Sequence, residues 1–272
     1  SGETSAEPST DSGERPSMDF NFAGGKGGFS MSGGGADLNY TDDELDSYET
    51  IWDGEVTSTK KSDHKRVVTA LKNISEGNDL ETYMDIDNLL RYMAVHVFSV
   101  NEDSLSGMMA HNYYLYESGG KLNLIPWDYN LALGGMGGSS DATSVVNDAI
   151  DNAFSGTNFF DTLMEDETYH SQYYTYLQQL VSEYIDGGGF DAFYERVRSQ
   201  IDELVKTDPT AFYSYDEYLT AVDTLYQVVR LRGQSIQSQL DGTIPSIEAE
   251  QRSSDALVDA STLDISVMGS MN

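Results

Sequence analysis

Four side chains near the middle of the chain carry the oxygen atoms that hard divalent cations prefer. They are Asp103, Asn112, Asp128 and Asn130, with His111 directly before the second of them. Carboxylate and amide oxygens suit Mg²⁺, Mn²⁺ or Ca²⁺ and do not suit Zn²⁺. Because Mg²⁺ usually takes one or two carboxylates together with phosphate and water, these residues could form a metal or nucleotide site. The alternative is that they cap turns and strand ends, which short polar side chains often do.

A predicted β-hairpin brings two of these residues toward each other. Residues 111–117 and 121–125 each alternate well enough for a strand, and the Ser-Gly-Gly triplet between them is typical of a turn. Pro126 has no backbone N–H for the sheet, so we expect the second strand to stop there. Asn112 then begins the first strand and Asp128 follows the second. Their separation of 128 − 112 = 16 residues is one that a hairpin closes easily.

An amphipathic helix before the hairpin positions Asp103 just beyond its end. Asp85 is a candidate N-cap, and apolar residues follow it at the spacing of one buried helix face. The same reasoning predicts further helices at 41–52, 63–74, 158–164, 166–185, 190–205 and 214–240. The predicted fold class is therefore α+β, with a mostly helical body around a central hairpin.

Several side chains near the site are expected to be structural. His96 lies inside the helix that Asp85 begins, and we expect it to pack and not to bind a ligand. Tyr113, Tyr114 and Tyr116 are expected to pack the hairpin and not to stack on a base. Trp127 could take either role.

The two ends of the chain have the composition of loops. Residues 1–36 contain glycine runs and few large apolar residues, which favours a flexible linker. A phosphate-binding loop is the weaker interpretation, because Lys26 is followed by Gly27 where that motif needs Ser or Thr. Residues 245–272 are polar and weakly patterned, so we expect an extended or partly disordered tail. We interpret the start at Ser1 as a processed or trimmed end with upstream sequence missing.

The charge balance limits the kinds of partner. The formal net charge is −31, from 15 Lys and Arg against 46 Asp and Glu. This argues against nucleic acid and anionic membrane surfaces, and favours basic partners or divalent cations. The chain has no Cys, which excludes disulfides and thiolate metal sites. No apolar run reaches the ~20 residues that a membrane span needs, and we recognise no signal peptide in the chain.

Two motifs at the hairpin resemble the signature of the CotH family, the spore coat protein H proteins and their relatives. They are His-Asn-Tyr-Tyr-Leu-Tyr at 111–116 and Ile-Pro-Trp-Asp-Tyr-Asn at 125–130. Residues 85–92 and the Leu-Asp-Gly-Thr run at 240–243 resemble the same family. The resemblance covers about 36–269 and assigns 37–244 to a CotH-like kinase domain, or to its C-terminal portion.

This resemblance implies an atypical protein kinase with a body like the kinase C-lobe. Such a protein binds ATP with Mg²⁺ or Mn²⁺ (with Ca²⁺ as another candidate) and phosphorylates Ser residues of protein partners. Asp103 matches the catalytic base, whereas Asn112 and Asp128 match the residues that hold metal. Asn130 stands where the family often has a second Asp and is a further candidate metal ligand. The neighbouring His111 and Trp127 are candidates for contacts with the cofactor, and for His111 the alternative is a polar residue at a strand end.

The chain departs from the kinase pattern in two further respects. The separation between Asp103 and Asn112 is 112 − 103 = 9 residues, whereas the corresponding residues of ordinary kinases are about five apart. The sequence also shows no clear lysine of a nucleotide-binding lobe and no glycine loop over a strand.

The resemblance leaves the biological role open between alternatives. It implies a bacterial protein that is extracellular or on the cell surface, acting on a surface or coat protein. A catalytically inactive surface scaffold that binds partners is the alternative to a kinase. A Ca²⁺-dependent adhesion or cell-wall module, suggested by the excess of acidic residues, is a third.

Overall fold

The structure is a computed structural model that describes residues 35–107, 110–135, 141–154 and 156–269. Its α-helices are α1 (Glu49–Trp52), α2 (Lys61–Ser75), α3 (Leu80–Tyr83), α4 (Ile86–Ser99), α5 (Ala142–Val146), α6 (Asp161–Met164), α7 (Glu167–Gln179), α8 (Gly189–Thr207), α9 (Tyr215–Leu240) and α10 (Glu248–Gln251). Leu45–Tyr48 and Ile265–Met268 are 3₁₀ turns, and Leu180–Ile185 continues α7 as a π-helical turn. The strands are β1 (Tyr113–Ser118) and β2 (Lys121–Pro126). The predicted α+β class is confirmed.

The two strands form the predicted antiparallel hairpin. Tyr113 pairs with Pro126 at the open end, and Ser118 pairs with Lys121 beside the turn. Both turn glycines have positive φ angles, 64° and 90°, which suit the tight two-residue turn that matches strand twist. Pro126 is the last residue of β2, as its missing N–H predicts. Leu122 and Leu124 point to the core, so the inner face of the hairpin is apolar and buried.

Helix α4 is fixed to the hairpin at its start. Asp85 accepts a hydrogen bond from the backbone N of Asn88, which confirms the predicted N-cap. The Asn88 side chain then pairs with the backbone of Leu124 on β2, accepting from its N at 2.8 Å and donating to its O at 3.1 Å. The helix ends at Val100, which has a left-handed backbone with φ of 48°. The residues after it, including Asp103, are therefore held at a defined distance from the hairpin.

Two hydrophobic clusters form the core of the described residues. The larger one packs α2, α4 and α7 against the inner face of the hairpin. The second joins α5, the π-helical turn, α9 and the 3₁₀ turn Ile265–Met268. Arg232 of α9 is fully buried and donates to backbone carbonyls on α4, at the end of α5 and just after α5. It thereby connects the end of α4 to the helical body.

The C-terminal segment differs from the expected extended or disordered tail. Over 245–269 the chain forms α10 and a 3₁₀ turn, and it buries Ala260 and Ile265. Asn147 accepts from the N of Val258 at 3.0 Å and donates to its O at 2.8 Å. Sequence periodicity cannot reveal this packing, because side chains distant in sequence satisfy the segment's backbone.

Other differences concern helix ends. The stretch predicted as one helix at 41–52 is a 3₁₀ turn followed by α1, and the helix predicted at 158–164 shortens to α6. The short helices α3, α5 and α10 were not expected individually. Of the predicted linker, only residues 35 and 36 lie within the described part of the chain. Among the described residues, no helix combines the length and apolar character needed to cross a membrane.

Candidate functional site

Asp103 and Asn112 are in direct contact at the open end of the hairpin. The Asn112 Nδ2 donates to the Asp103 Oδ2 at 2.7 Å and to the Asp103 backbone O at 2.8 Å. Asn112 has a left-handed backbone with φ of 57°, a conformation that asparagine tolerates better than most residues. The long loop between these residues thus closes on itself, so their separation of nine residues in sequence does not keep them apart.

Asp128 begins the loop that leaves the hairpin on the other strand. The backbone N of Trp127 donates to the Asn112 O at 3.2 Å, which places Asp128 one residue beyond this link between the two strand ends. Asp128 has a φ of 49°, and its side chain is exposed. Left-handed non-glycine residues cost free energy and concentrate at functional sites. Asn112 accepts this hydrogen bond and Asp128 follows its donor, and both residues have unfavourable backbone conformations.

Asn112 and Asp128 each keep an oxygen atom that is available to a cation. Asn112 directs its amide nitrogen to Asp103, which leaves Oδ1 as its acceptor, and the Asp128 carboxylate faces solvent. Over the described ranges, no three His, Asp or Glu side chains gather into a metal site. One carboxylate and one amide oxygen are ligands of the kind that Mg²⁺ takes beside phosphate and water. They fall short of the 6–8 oxygen ligands of a Ca²⁺ site built from protein alone.

The outer face of the hairpin is apolar and open to solvent. Tyr114 is 41% exposed, and Tyr116 and Trp127 are each 55% exposed. The rings of Tyr114 and Trp127 lie 5.8 Å apart. Tyr113 alone turns inward and donates its hydroxyl to the Ala36 O. The expectation that all three tyrosines pack the hairpin is therefore correct only for Tyr113, because alternate residues of a strand point to opposite faces.

A groove of about 760 Å³ runs along β1 and is lined by residues from both faces of that strand, and we call it the hairpin groove. Its hairpin side includes Tyr114, Tyr116 and Ile125, together with His111 and Asn112. Its other side is the segment 50–59 with part of α2, where His64 stacks on Trp52 with ring centroids 4.0 Å apart. The volume lies within the range of small-molecule and cofactor sites.

The remaining predicted site residues divide between two places. His111 is partly buried and lines the hairpin groove beside Asn112. Asn130 is exposed and lines a different pocket of about 480 Å³, formed with α9 and the C-terminal segment. The structure thus groups Asp103, Asn112 and His111 at the groove end and places Asn130 next to a second cavity.

His96 has the structural role expected of it. It is buried against Tyr92 and Phe154, and its Nε2 is hydrogen-bonded to the Ser106 hydroxyl. Burial lowers the pKa of His96 to about 4, so the ring is neutral near pH 7. Through Ser106 it holds the loop that carries Asp103.

Sequence reasoning missed two residues beside the site, the buried Asn101 and the partly buried Tyr129. Asn101 follows α4 and is 1% exposed, whereas Tyr129 directly follows Asp128. Burial raises the pKa of Tyr129 to about 12, and the nearby Asn101 side chain opposes this shift. The sequence pattern marked Asn101 only as a residue that ends a helix, because burial depends on how the loop after β2 packs on α4.

Comparison with known proteins agrees with the motifs at the hairpin. A family model described as CotH kinase protein matches residues 25–236, a range that includes every residue of the candidate site. No curated protein gives a significant match to the chain. Because the family match extends over well more than half of the chain, the protein belongs to the CotH kinase protein family.

Proposed function

We propose that this protein is an ATP- and Mg²⁺- or Mn²⁺-dependent kinase that phosphorylates Ser residues of a protein partner. The observation that carries the proposal is the contact between Asp103 and Asn112 at the hairpin end, beside the exposed Asp128 turn and the aromatic groove. Membership of the family supports a kinase-related function. The oxygen ligands of the site and the adjacent groove support the use of ATP with a divalent cation.

Each site residue would have a distinct role. Asp103 would accept the proton of the substrate hydroxyl, with its carboxylate oriented by the Asn112 Nδ2. Asn112 Oδ1 and Asp128 would hold the cation, and Asn130 would lie at its far side. When bound, the cation neutralises the charge that develops on the transferred phosphoryl group.

The hairpin groove would receive the base of the nucleotide. Tyr114 lines this groove beside Asn112 and offers an exposed ring, and the exposed Trp127 ring lies 5.8 Å from it, outside the groove lining. Aromatic faces attract planar rings in offset or tilted arrangements. His111 would contact the cofactor from the groove end. An exposed apolar patch of this kind is typical of a binding surface.

The protein partner would present a basic segment. The net charge of −31 favours such a partner by electrostatic attraction. The pocket next to Asn130 is lined by apolar residues such as Leu225 and Val267, and it could hold an apolar side chain of that segment. We further propose a bacterial extracellular or cell-surface location, where coat or surface proteins would be substrates.

The test combines binding and transfer. We expect Mg²⁺ with ATP to raise the melting temperature, ATP with a chelator to raise it far less, and phosphate to appear on Ser of basic peptides. Asp128→Ala should remove the metal-dependent shift and the transfer. The matched control is Asp255→Ala, which changes an exposed carboxylate of the C-terminal segment. A wild-type protein that folds but shows neither a shift nor transfer would exclude the kinase and favour a scaffold.

A further inference from the structure

Two polar side chains beside the candidate site have buried atoms with no hydrogen-bond partner in the described part of the chain. Neither the Oδ1 nor the Nδ2 of Asn101 has a hydrogen-bond partner among the described residues. The buried hydroxyl of Tyr129 is unpaired in the same sense. Nearly all buried polar groups in folded proteins are paired, so unpaired ones require an explanation. Here two of them lie in one place.

The two residues belong to the two segments that carry the candidate carboxylates. Asn101 precedes Asp103 by two positions, and Tyr129 directly follows Asp128. Their side chains are neighbours, because the Asn101 amide lies close enough to the Tyr129 hydroxyl to influence its pKa. They nevertheless do not reach hydrogen-bond geometry. A small relative movement of the two segments would therefore pair them.

The backbone on both sides of Tyr129 is already attached to these elements. Trp127 N donates to the Asn112 O at 3.2 Å, and Leu133 N donates to the Ser99 O at 2.8 Å. Tyr129 lies between these two attachments, so its loop can shift only slightly without breaking one of them. The loop can therefore move a short distance toward Asn101, whereas a large movement would break one of these two hydrogen bonds.

We propose that Asn101 and Tyr129 are positioning residues that lock the Asp103 and Asp128 segments together when a metal-bound nucleotide occupies the site. This inference rests on the proposed function. In the loaded protein the Tyr129 hydroxyl donates to the Asn101 Oδ1. Asn112 and Asp128 would together hold the cation, and the hydrogen bond between Tyr129 and Asn101 would favour the arrangement of the two segments in the loaded state. In the free protein neither group has a hydrogen-bond partner among the residues that the structure describes.

The test is Tyr129→Phe, which removes only the hydroxyl. Because that group has no partner in the free protein, we expect the melting temperature without ligand to stay the same or rise. The dissociation constant for Mg²⁺–ATP, measured by calorimetry, should rise about threefold to tenfold, as expected for the loss of one neutral hydrogen bond. A purely structural hydroxyl would give the reverse pattern.

The matched control is Tyr173→Phe. Tyr173 is as buried as Asn101, but its hydroxyl donates to the Ile150 O at 2.7 Å. This variant should lower the melting temperature without ligand and leave the affinity for Mg²⁺–ATP unchanged. The two variants remove the same atom, so their contrast isolates the effect of the unpaired state.

Asn101→Ala and the double variant complete a cycle. We expect the two substitutions to be additive in the free protein and non-additive in their effect on Mg²⁺–ATP affinity, because the pair interacts only in the loaded state. If Asn101→Ala does not fold, the Tyr129→Phe result decides alone. Unchanged affinity in Tyr129→Phe would overturn this inference while the proposed function stands. A wild-type protein that does not bind Mg²⁺–ATP would overturn both.

Discussion

Arg232 and Asn101 are both buried polar side chains, but the protein itself satisfies only the first. The Arg232 guanidinium donates to the carbonyl oxygens of four residues at 2.6–3.3 Å. These acceptors are Val97, Phe98, Val146 and Asp148. The Asn101 side chain, a few residues beyond two of these acceptors, has no partner among the described residues. The end of α4 is thus held by hydrogen bonds from Arg232, whereas the Asn101 side chain just beyond it has none within the described residues.

This difference extends to the surroundings of the two residues. In the helical body, Asn147 also has both side-chain polar atoms paired. At the hairpin end, Asn112 and Asp128 have left-handed backbones, and the Nδ1 of His96 has no hydrogen-bond partner within the described ranges. Proteins place unfavourable conformations where function requires them and compensate elsewhere. The comparison therefore associates the Arg232 network with stability and agrees with the proposed function of the hairpin end.

Replacing Arg232 should break the stable region. Arg232→Met removes a donor that four carbonyl groups share, although the Val97 O and the Asp148 O each keep a second donor. We therefore expect a loss of ~3–5 kcal/mol in the free energy of unfolding, measured by urea denaturation. The control Arg196→Met changes an exposed arginine of α8, and there the change should stay within ~0.5 kcal/mol. A loss in Arg232→Met no larger than in this control would mean that the network does not support the fold.

Replacing Asp103 at the hairpin end should reduce activity and leave stability nearly unchanged. Asp103→Asn keeps the size of the side chain and removes the proton acceptor, so we expect phosphoryl transfer to slow by ~10²–10⁴-fold. Thermal stability should change little, because the Asp103 side chain is only partly buried. Transfer rates at saturating Mg²⁺–ATP check the first expectation, and melting curves check the second. A variant with full transfer activity would remove Asp103 from the chemistry.

The sequence predicts those parts of the molecule that depend on local rules. Asp85 marks the start of α4, and the capping box of Ser214 and Glu217 marks the start of α9. The Ser-Gly-Gly turn fixes the hairpin and hence the closeness of the two strand ends. The sequence also places Asp103 and Asn112 in one connection between α4 and β1, which is consistent with the contact between them.

The rest depends on residues far apart in the sequence. An arginine inside a helix normally indicates an exposed face, yet Arg232 is buried because carbonyls some 85 to 135 residues away surround it. Likewise, Asn101 and Tyr129 become buried only when the loop after β2 packs onto the end of α4. The spacing of apolar residues contains no information about either environment.

His96 offers a test by pH. Its pKa is lowered from 6.5 to about 4 by burial, so the folded protein keeps the ring neutral while the unfolded chain takes up a proton below pH 6.5. The unfolded state then binds more protons, and stability should fall as the pH decreases from 6.5 toward 4, by up to about 1.4 kcal/mol per pH unit.

His96→Gln should remove this contribution while keeping a polar group near Ser106. The measurement is the free energy of unfolding at pH 7, 6 and 5, compared between wild type and variant. Carboxylates contribute equally to both proteins, so the difference between the two curves reports on His96 alone. Parallel curves would show that His96 does not resist protonation and that this part of the hairpin end is less buried than the structure indicates.

Tyr114 and Asn101 are opposite exceptions to the usual pattern of burial. Tyr114 is an exposed aromatic side chain, whereas Asn101 is a buried polar one. Tyr114→Ala should weaken Mg²⁺–ATP binding by roughly threefold to tenfold, the value of one aromatic stacking contact of ~0.5–1.5 kcal/mol. Stability should fall by much less than in Leu124→Ala, which empties a buried position on the inner face and should cost ~2–5 kcal/mol.

Tyr116→Ala controls for the loss of an exposed ring farther from Asn112 along the same strand. Equal losses of affinity in both tyrosine variants would mean that the whole outer face binds the ligand, whereas no loss in either would leave this face to a partner other than the nucleotide.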